Sequence, residues 1–260
     1  MKTTPVFTIG ADPELFFFDP KADKYISSIG LIGGSKKEPR PIGKGCAVQE
    51  DNVAVEFNIP VCHDLSSFVE GLEYNLQYLE STAKSLGLVL AIDPSARFTE
   101  DQLANPAALV FGCEPDYNAW TRSINPRPHC DDPALRSAGG HIHVGFDDKE
   151  LDFEQVVRAM DIFVGCEMVE FDDDTARRKL YGGPGAFRRK SYGIEYRTAS
   201  NAWIKSREKM TWAYDQTKKA LEFVASGKII PADGIGKTIQ ECIINSDRTL
   251  LGNVRGWVNG

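Results

Sequence analysis

The sequence predicts an α+β fold: a largely antiparallel sheet with helices on one face and a charged active-site face opposite. Four short segments alternate apolar with polar or charged residues at every second position, as strands with one buried face do. Between them lie three segments whose apolar residues recur at steps of three and four, as on an amphipathic helix. With 260 residues, 42% of them hydrophobic, the chain is long enough to bury a sizeable core.

The four predicted strands lie in "GADPELFFFD", "QEDNVAVEFNIP", "GGHIHVGF" and "YGIEYRTASNAW". In each strand, acids, histidines or an arginine occupy one face, and aliphatic or aromatic residues occupy the other. A merely solvated face would more often carry threonine, serine and lysine. The alternation assigns seven residues to the polar face: Asp12, Glu14, Glu56, His141, His143, Glu195 and Arg197.

The predicted helices span residues 64–87, 152–171 and 206–227. Asp64 is a candidate N-cap for the first helix, and Gly87 a candidate for its end. The aliphatic run "LGLVLAID" predicts a further, more buried strand. Stretches 112–128 and 176–193 are expected to be long loops, which often carry function. "GIGKT" (234–238) lacks the Walker spacing and predicts a turn into a helix. We expect one domain, residues 1–260.

Composition and charge exclude several classes of partner. A net charge of −7 argues against a nucleic-acid surface, which needs clustered lysine and arginine. No apolar run is long enough to span a membrane, and none at the start resembles a signal peptide, so a cytoplasmic protein is expected. The six cysteines lack CxxC pairs, which predicts reduced thiols rather than a disulfide framework. A structural zinc site is not expected, because the His129-Cys130 pair lacks matching partners.

The polar faces predict a metal site next to a phosphate site. Four carboxylates with one or two histidines form an oxygen-rich donor set that suits Mg²⁺ or Mn²⁺. Basic residues crowd the glycine-rich stretch before the fourth strand, where guanidinium groups can grip phosphate: Arg177, Arg178, Arg188, Arg189 and Lys190. Each motif alone has a plainer reading. The histidines can be ordinary strand residues, Glu195 and Arg197 a structural ion pair, and the arginines a solvated loop.

Several motifs resemble known enzymes. "GADPELFFFD", "GGHIHVG" and "IEYRT" resemble the metal- and phosphate-binding strands of glutamine synthetase, in the same order along the chain. "GCEPDYNAW", "GGHIHVGF" and "GAFRRKSYGIEYRTASNAW" resemble the phage-type carboxylate-amine ligases, an amidoligase family of the glutamine synthetase and glutamate–cysteine ligase superfamily. The resemblance covers most of residues 6–205.

This resemblance implies a glutamine synthetase catalytic-domain-like fold and an ATP-dependent enzyme. The enzyme would join a small-molecule or peptide carboxylate to an amine, forming an amide or isopeptide bond through an acyl phosphate, with Mg²⁺ or Mn²⁺. It would work in a host bacterial cytoplasm if phage-encoded. Neither the two substrates nor the oligomeric state follows from the resemblance.

The resemblance also implies roles for individual residues of this chain. The metal ligands would be Asp12, Glu14, Glu56, His141 and Glu195; the catalytic residues Glu195, Arg188 and Arg197; and the nucleotide-binding residues Arg178, Arg188, Arg197 and His143. Two positions depart from the family pattern. Asp12 replaces the usual glutamate, and the segment around Glu56 is shorter than in the synthetases, so Glu56 carries over better than Glu50 or Asp51.

Two other functions fit the same residues. A metal-dependent hydrolase can also use an HxH pair, although the TIM-barrel hydrolases need a regular alternation of strands and helices. A nucleotide- or anion-binding module without catalysis is the non-enzyme alternative. Binding of ATP without turnover would favour that module.

Overall fold

The protein is described by a computed structural model that covers residues 6–109, 116–126, 128, 130–146 and 151–260. Cys113, His129 and the start of "GCEPDYNAW" lie outside these ranges. The strands are β1 (Thr8–Asp19), β2 (Lys24–Ile26), β3 (Arg40–Gly43), β4 (Cys46–Asp51), β5 (Ala54–Asn58), β6 (Val89–Ala91), β7 (Ser95–Arg97), β8 (Tyr117–Asn118), β9 (Ser123–Ile124), β10 (Leu135–Ser137), β11 (Gly140–Gly145), β12 (Ala186–Lys190) and β13 (Gly193–Tyr196).

Eleven of these strands form one sheet, and every neighbouring pair in it is antiparallel. The order is β3-β4-β5-β1-β11-β13-β12-β8-β9, and β2 and β6 pair with β1. Strands β7 and β10 form a separate pair. The predicted α+β class with a largely antiparallel sheet is confirmed. This topology differs from the parallel barrel of the hydrolase alternative.

Helices cover one face of the sheet. The α-helices of the described residues are α1 (Leu65–Ser85), α2 (Phe153–Met160), α3 (Thr175–Leu180), α4 (Arg207–Ala225), α5 (Ile235–Asn245) and α6 (Arg248–Asn259), of which α1 and α2 contact the strands of the sheet directly. One buried cluster joins sheet residues such as Leu15 and Ile142 to helix residues such as Leu72 and Val157. As predicted, Asp64 caps α1, and its side chain accepts a hydrogen bond from the Ser67 backbone N–H at 2.8 Å. None of the described helices is long and apolar enough to cross a membrane.

Strand register brings the polar residues together on the other face. Across the sheet, Glu14 lies opposite Glu56, and Asp12 lies opposite His141. On β13, Glu195 lies between His143 of β11 and Arg188 of β12. Opposite partners in an antiparallel sheet lie about 5 Å apart between Cβ atoms, so these pairs are close enough to interact.

Several sequence-based boundaries were wrong. "QEDNVAVEFNIP" is not one strand but a hairpin, because Asn52 adopts a left-handed conformation (φ 59°) and turns β4 into β5. Stretch 176–193 is not a loop: it contains most of α3 and all of β12. The "LGLVLAID" strand is not deeply buried, since it is three residues long and its Val89 is 46% exposed. The helix expected over 152–171 becomes a π-helix at Asp161–Cys166. The described cysteines are free thiols: Cys46, Cys62, Cys130, Cys166 and Cys242.

Candidate functional site

Three strands contribute the first of the two carboxylate clusters that lie among the described residues. Asp12 on β1, His141 on β11 and Glu195 on β13 place their ligand atoms within 4.8 Å of one another, and we call them the first cluster. His141 Nδ1 lies 3.4 Å from Asp12 Oδ1 and 3.9 Å from Glu195 Oε1. Each strand is buried on its helix side, so the period-two alternation turns all three side chains to the opposite face.

The pKa values of the two histidines next to Asp12 are shifted in opposite directions. Burial, with the Arg197 guanidinium nearby, lowers the pKa of His141 to about 3, so its imidazole is neutral and able to bind a metal ion. Burial opposes protonation of His143 too, but Asp12 outweighs it and raises the pKa of His143. His143 Nε2 lies 3.0 Å from Asp12 Oδ2, and its Nδ1 contacts the Tyr192 hydroxyl. His143 therefore lies closer to Asp12 than His141 does, and Asp12 favours its protonated form.

These histidines keep Asp12 ionised. Burial alone would raise the pKa of the Asp12 carboxyl, but His143 and His141 lower it well below its ordinary value. Asp12 Oδ1 is buried and receives no hydrogen bond of ordinary geometry from the described residues, and neither does His141 Nε2. Two buried ligand atoms without such a partner are expected where a further group is to be bound.

Gly139, directly before β11, is a glycine because the packing around it leaves no room for a side chain. A Cβ on Gly139 would lie 2.3 Å from His141 Nε2, so no other residue fits without moving the imidazole. The backbone N–H of Gly139 donates to Glu14 Oε2 at 2.7 Å, which joins the start of β11 to the neighbouring acid on β1. The glycine of "GGHIHVGF" thus fixes His141 and Glu14 together.

Basic side chains surround Glu195 on the same face. Lys190 Nζ lies 2.7 Å from Glu195 Oε2, and an Arg188 guanidinium nitrogen lies 3.3 Å from Oε1. The Arg197 guanidinium also contacts Oε1, lies 3.6 Å from Asp116 Oδ2 and stacks over the Tyr181 ring at 4.9 Å. Three cationic groups converging on one carboxylate make this edge of the cluster suited to anionic oxygens.

A second cluster lies beside the first. Glu14 on β1, Asp51 on β4 and Glu56 on β5 also place ligand oxygens within 4.8 Å of one another, and we call them the second cluster. Burial, followed by repulsion from Asp51, raises the pKa of Glu14 to about 7. Burial and the neighbouring acids, Asp12 first among them, raise the pKa of Glu56 well above its ordinary value. Glu56 Oε2 accepts a hydrogen bond from Gln49 Nε2 at 2.9 Å.

Two of the predicted basic residues point elsewhere. Arg178 is 4% exposed, and its guanidinium binds Asp172 Oδ2 at 2.9 Å and the hydroxyl of Ser246. These contacts engage Arg178 away from both clusters. Arg189 alternates with Arg188 along β12 and forms an ion pair with Glu154 Oε1 at 2.5 Å, on the helix side of the sheet.

Sequence reasoning missed two members of this site. Asp51 was set aside in favour of Glu56, yet the hairpin turns both to the same face: Gln49 lies opposite Glu56, and Asp51 lies two residues beyond Gln49. Folding "QEDNVAVE" about Asn52 would have shown this. Lys36, whose Nζ lies 2.8 Å from Asp51 Oδ2, was not singled out because its loop has no periodic pattern.

Comparison with known proteins bears on the middle of the chain. A family model described as Phage phiEco32-like COOH.NH2 ligase-type 2 matches residues 135–221. The predicted resemblance to the phage-type carboxylate-amine ligases is confirmed. The matched segment contains His141, His143, Arg188, Glu195 and Arg197, whereas Asp12, Glu14, Asp51 and Glu56 precede it.

The solved structure of apo GmaS without ligand is also similar, with a TM-score of 0.43 and 11% sequence identity. The likeness covers 96% of this chain and 65% of that chain, so this chain spans less than two thirds of the length of that protein. Among curated protein sequences there is no match.

Proposed function

We propose that this protein is an ATP-dependent carboxylate-amine ligase that forms an amide or isopeptide bond through an acyl phosphate. One observation carries the proposal: two carboxylate clusters lie side by side on the sheet, and three cationic side chains converge on Glu195. The match of residues 135–221 to a COOH.NH2 ligase family supports the same reaction class.

The donor atoms of both clusters fit hard divalent cations. The second cluster offers carboxylate oxygens alone, and the first adds a neutral imidazole. Carboxylates suit Mg²⁺, and an imidazole shifts preference towards Mn²⁺. We infer one cation per cluster, with Asp12, His141 and Glu195 as ligands in the first, and Glu14, Asp51 and Glu56 in the second. When bound, such cations supply positive charge against the phosphates of ATP.

The chain's own residues would then position the reactants. Arg188, Lys190 and Arg197 hold the phosphate oxygens, since a guanidinium binds two oxygens in one plane and an ammonium adds a point charge. The substrate carboxylate attacks the γ-phosphate and releases ADP, and the amine then displaces phosphate. Neither step needs a protein nucleophile. His143 lies 3.0 Å from Asp12 Oδ2 and would orient the Asp12 carboxylate and contact the nucleotide.

Two further expectations stand as part of the proposal. We infer that residues 1–260 form a single catalytic domain, which is supported by one buried cluster that extends from Ile9 to Val254. We also propose cytoplasmic action on small-molecule or peptide carboxylates and amines. Arg178 is left out of the proposed nucleotide-binding set because its guanidinium is engaged by Asp172 and Ser246.

Calorimetric titration of ADP or ATP with Mg²⁺, repeated with EDTA, tests the proposal directly. Wild-type protein should bind nucleotide only with Mg²⁺, and Glu195→Gln should weaken that binding while the protein stays folded. Glu154→Gln is the matched control, because its carboxylate pairs with Arg189 on the helix side. Wild-type protein that binds no nucleotide with Mg²⁺ would refute the ligase proposal. If nucleotide binds but no ADP is released with any of the carboxylate and amine pairs tested, the nucleotide-binding module without catalysis would be supported instead.

A further inference from the structure

Lys36 lies at the tip of a loop that reaches the second cluster. Ser35 and Glu38 exchange two backbone hydrogen bonds of 3.0 Å, so Lys36 and Lys37 are the central residues of a tight turn. The Lys36 ammonium lies 2.8 Å from Asp51 Oδ2, and the side chain is 48% exposed. Lys37, its neighbour in the same turn, is exposed.

The base of this loop is fixed independently of Lys36. Glu50 accepts backbone hydrogen bonds from Gly30, Ile32 and Gly33 at 3.0, 3.2 and 2.7 Å. Gly34 crosses the β3–β4 hairpin so closely that a Cβ there would lie 2.6 Å from the Val48 carbonyl oxygen. The base of the loop is therefore fixed without Lys36, whereas its tip is held by the ion pair between Lys36 and Asp51.

Lys36 interacts electrostatically with all three acids of the second cluster. Burial alone would lower the pKa of its amino group, but Asp51 raises it, and Glu56 and Glu14 add to the effect. Among the described residues, it is the one basic side chain that forms an ion pair with this cluster. Three acids this close repel one another, and Lys36 offsets part of that repulsion.

We propose that Lys36 is the internal counter-ion of the second cluster and gives up Asp51 to a divalent cation that binds there. The inference rests on the proposed function. An ammonium and a divalent cation that bind the same carboxylate oxygens repel each other at distances near 4 Å. Lysine suits such an exchange, because its charge sits at the end of a flexible four-carbon stem. The turn at residues 35–38 is then held in place by the ion pair when no cation is bound, and it is released when the cation binds.

Calorimetric titration with Mn²⁺ alone measures the competition. Lys36→Met removes the ammonium and keeps the length of the side chain, so Mn²⁺ should bind the second cluster roughly tenfold more tightly. Lys37→Met is the matched control in the same turn and should change the affinity by less than about twofold.

Double variants identify the cluster that responds. Combined with Glu56→Gln, which disables the second cluster, Lys36→Met should no longer tighten Mn²⁺ binding. Combined with Glu195→Gln, which disables the first cluster, Lys36→Met should keep its full effect.

Limited digestion with trypsin reports the release of the turn without any enzyme assay. In wild-type protein, Mn²⁺ should accelerate cleavage after Lys36 and Lys37. In Lys36→Met, cleavage after Lys37 should be fast with or without Mn²⁺.

The outcomes separate the two proposals. If neither wild-type protein nor Lys36→Met binds Mn²⁺ saturably, the metal sites of the proposed function are refuted, and the exchange with them. If both bind Mn²⁺ equally tightly, or Lys36→Met binds it more weakly, the exchange alone is overturned and the metal sites stand.

Discussion

The two carboxylate clusters share one sheet face but are neutralised differently. In the first cluster, Glu195 is paired with Arg188 and Lys190 on β12 and with Arg197 directly after β13, and Asp12 is paired with His143. In the second, carboxyl groups face one another, and the pKa values of Glu14 and Glu56 are raised. Among the described residues, its ion pair comes from Lys36 on a loop.

This difference indicates different roles. The first cluster has its charges balanced by side chains that also suit phosphate oxygens, so it is arranged in advance for an anionic ligand. The second cluster carries excess acid that protons and Lys36 offset, so a cation there must displace them. We therefore expect the first cluster to govern nucleotide chemistry and the second to respond to metal concentration and pH.

The largest expected effect is on turnover, from Arg197→Lys. The Arg197 guanidinium touches Glu195 and lies 3.6 Å from Asp116 Oδ2, and a lysine ammonium cannot reproduce both contacts in one plane. We expect ADP release to fall roughly 10³-fold, as for other phosphate-clamping arginines. Arg189→Lys on the helix side should keep its rate. A loss below about tenfold in Arg197→Lys would remove this residue from the phosphate site.

The stability of the protein should depend on pH through Asp161, a buried acid that supports β13 behind the first cluster. Asp161 is fully buried and accepts hydrogen bonds from Trp120 Nε1 at 2.6 Å and the Tyr196 hydroxyl at 2.8 Å, which fastens β13 between Glu195 and Arg197. Burial raises the pKa of Asp161 to about 7 from 3.8. The folded state thus holds a proton that the unfolded state has lost between these values, so this contribution to stability falls as pH rises to about 7.

Urea unfolding at pH 5 and pH 8, with EDTA present, checks the sign. Wild-type protein should be less stable at pH 8, and Asp161→Asn, which imitates the protonated acid, should reduce this loss by on the order of 2 kcal/mol. Any pH dependence of stability that remains in Asp161→Asn is then attributed to Glu14 and Glu56, the carboxyl groups of the second cluster whose pKa values are raised. An identical slope in both proteins would mean that Asp161 does not titrate in this range.

Removing one acid from each cluster should have opposite consequences for stability. Asp12→Asn removes the carboxylate that both pairs with the half-buried His143 and raises its pKa, and it should cost roughly 2 kcal/mol at pH 7. Glu56→Gln relieves repulsion and keeps an acceptor for Gln49, so it should be neutral or slightly stabilising. Urea unfolding in EDTA measures both. Equal losses would show that the clusters are neutralised alike.

The sequence predicted the faces of the strands but not their partners. Period-two alternation was enough to assign Asp12, His141 and Glu195 to one face, because the helix side of each strand is apolar. Which residues meet depends on register, and neither Glu14 opposite Glu56 nor Arg188 opposite Glu195 follows from alternation. Lys36 and Arg178 show the limit: an isolated basic residue in a loop or short helix carries no signal of where its charge points.

The smallest expected effect comes from Arg189→Ala, and it tests the alternation on β12. Arg189 is 54% exposed and pairs with Glu154, so losing it should change stability by less than about 0.5 kcal/mol. It should also leave nucleotide affinity unchanged, whereas Arg188→Ala should weaken nucleotide binding. Calorimetry on the two variants compares adjacent positions on opposite faces of one strand. If Arg189→Ala were the damaging change, β12 would be shifted by one residue in solution, and the phosphate site would have to be rebuilt around Arg189.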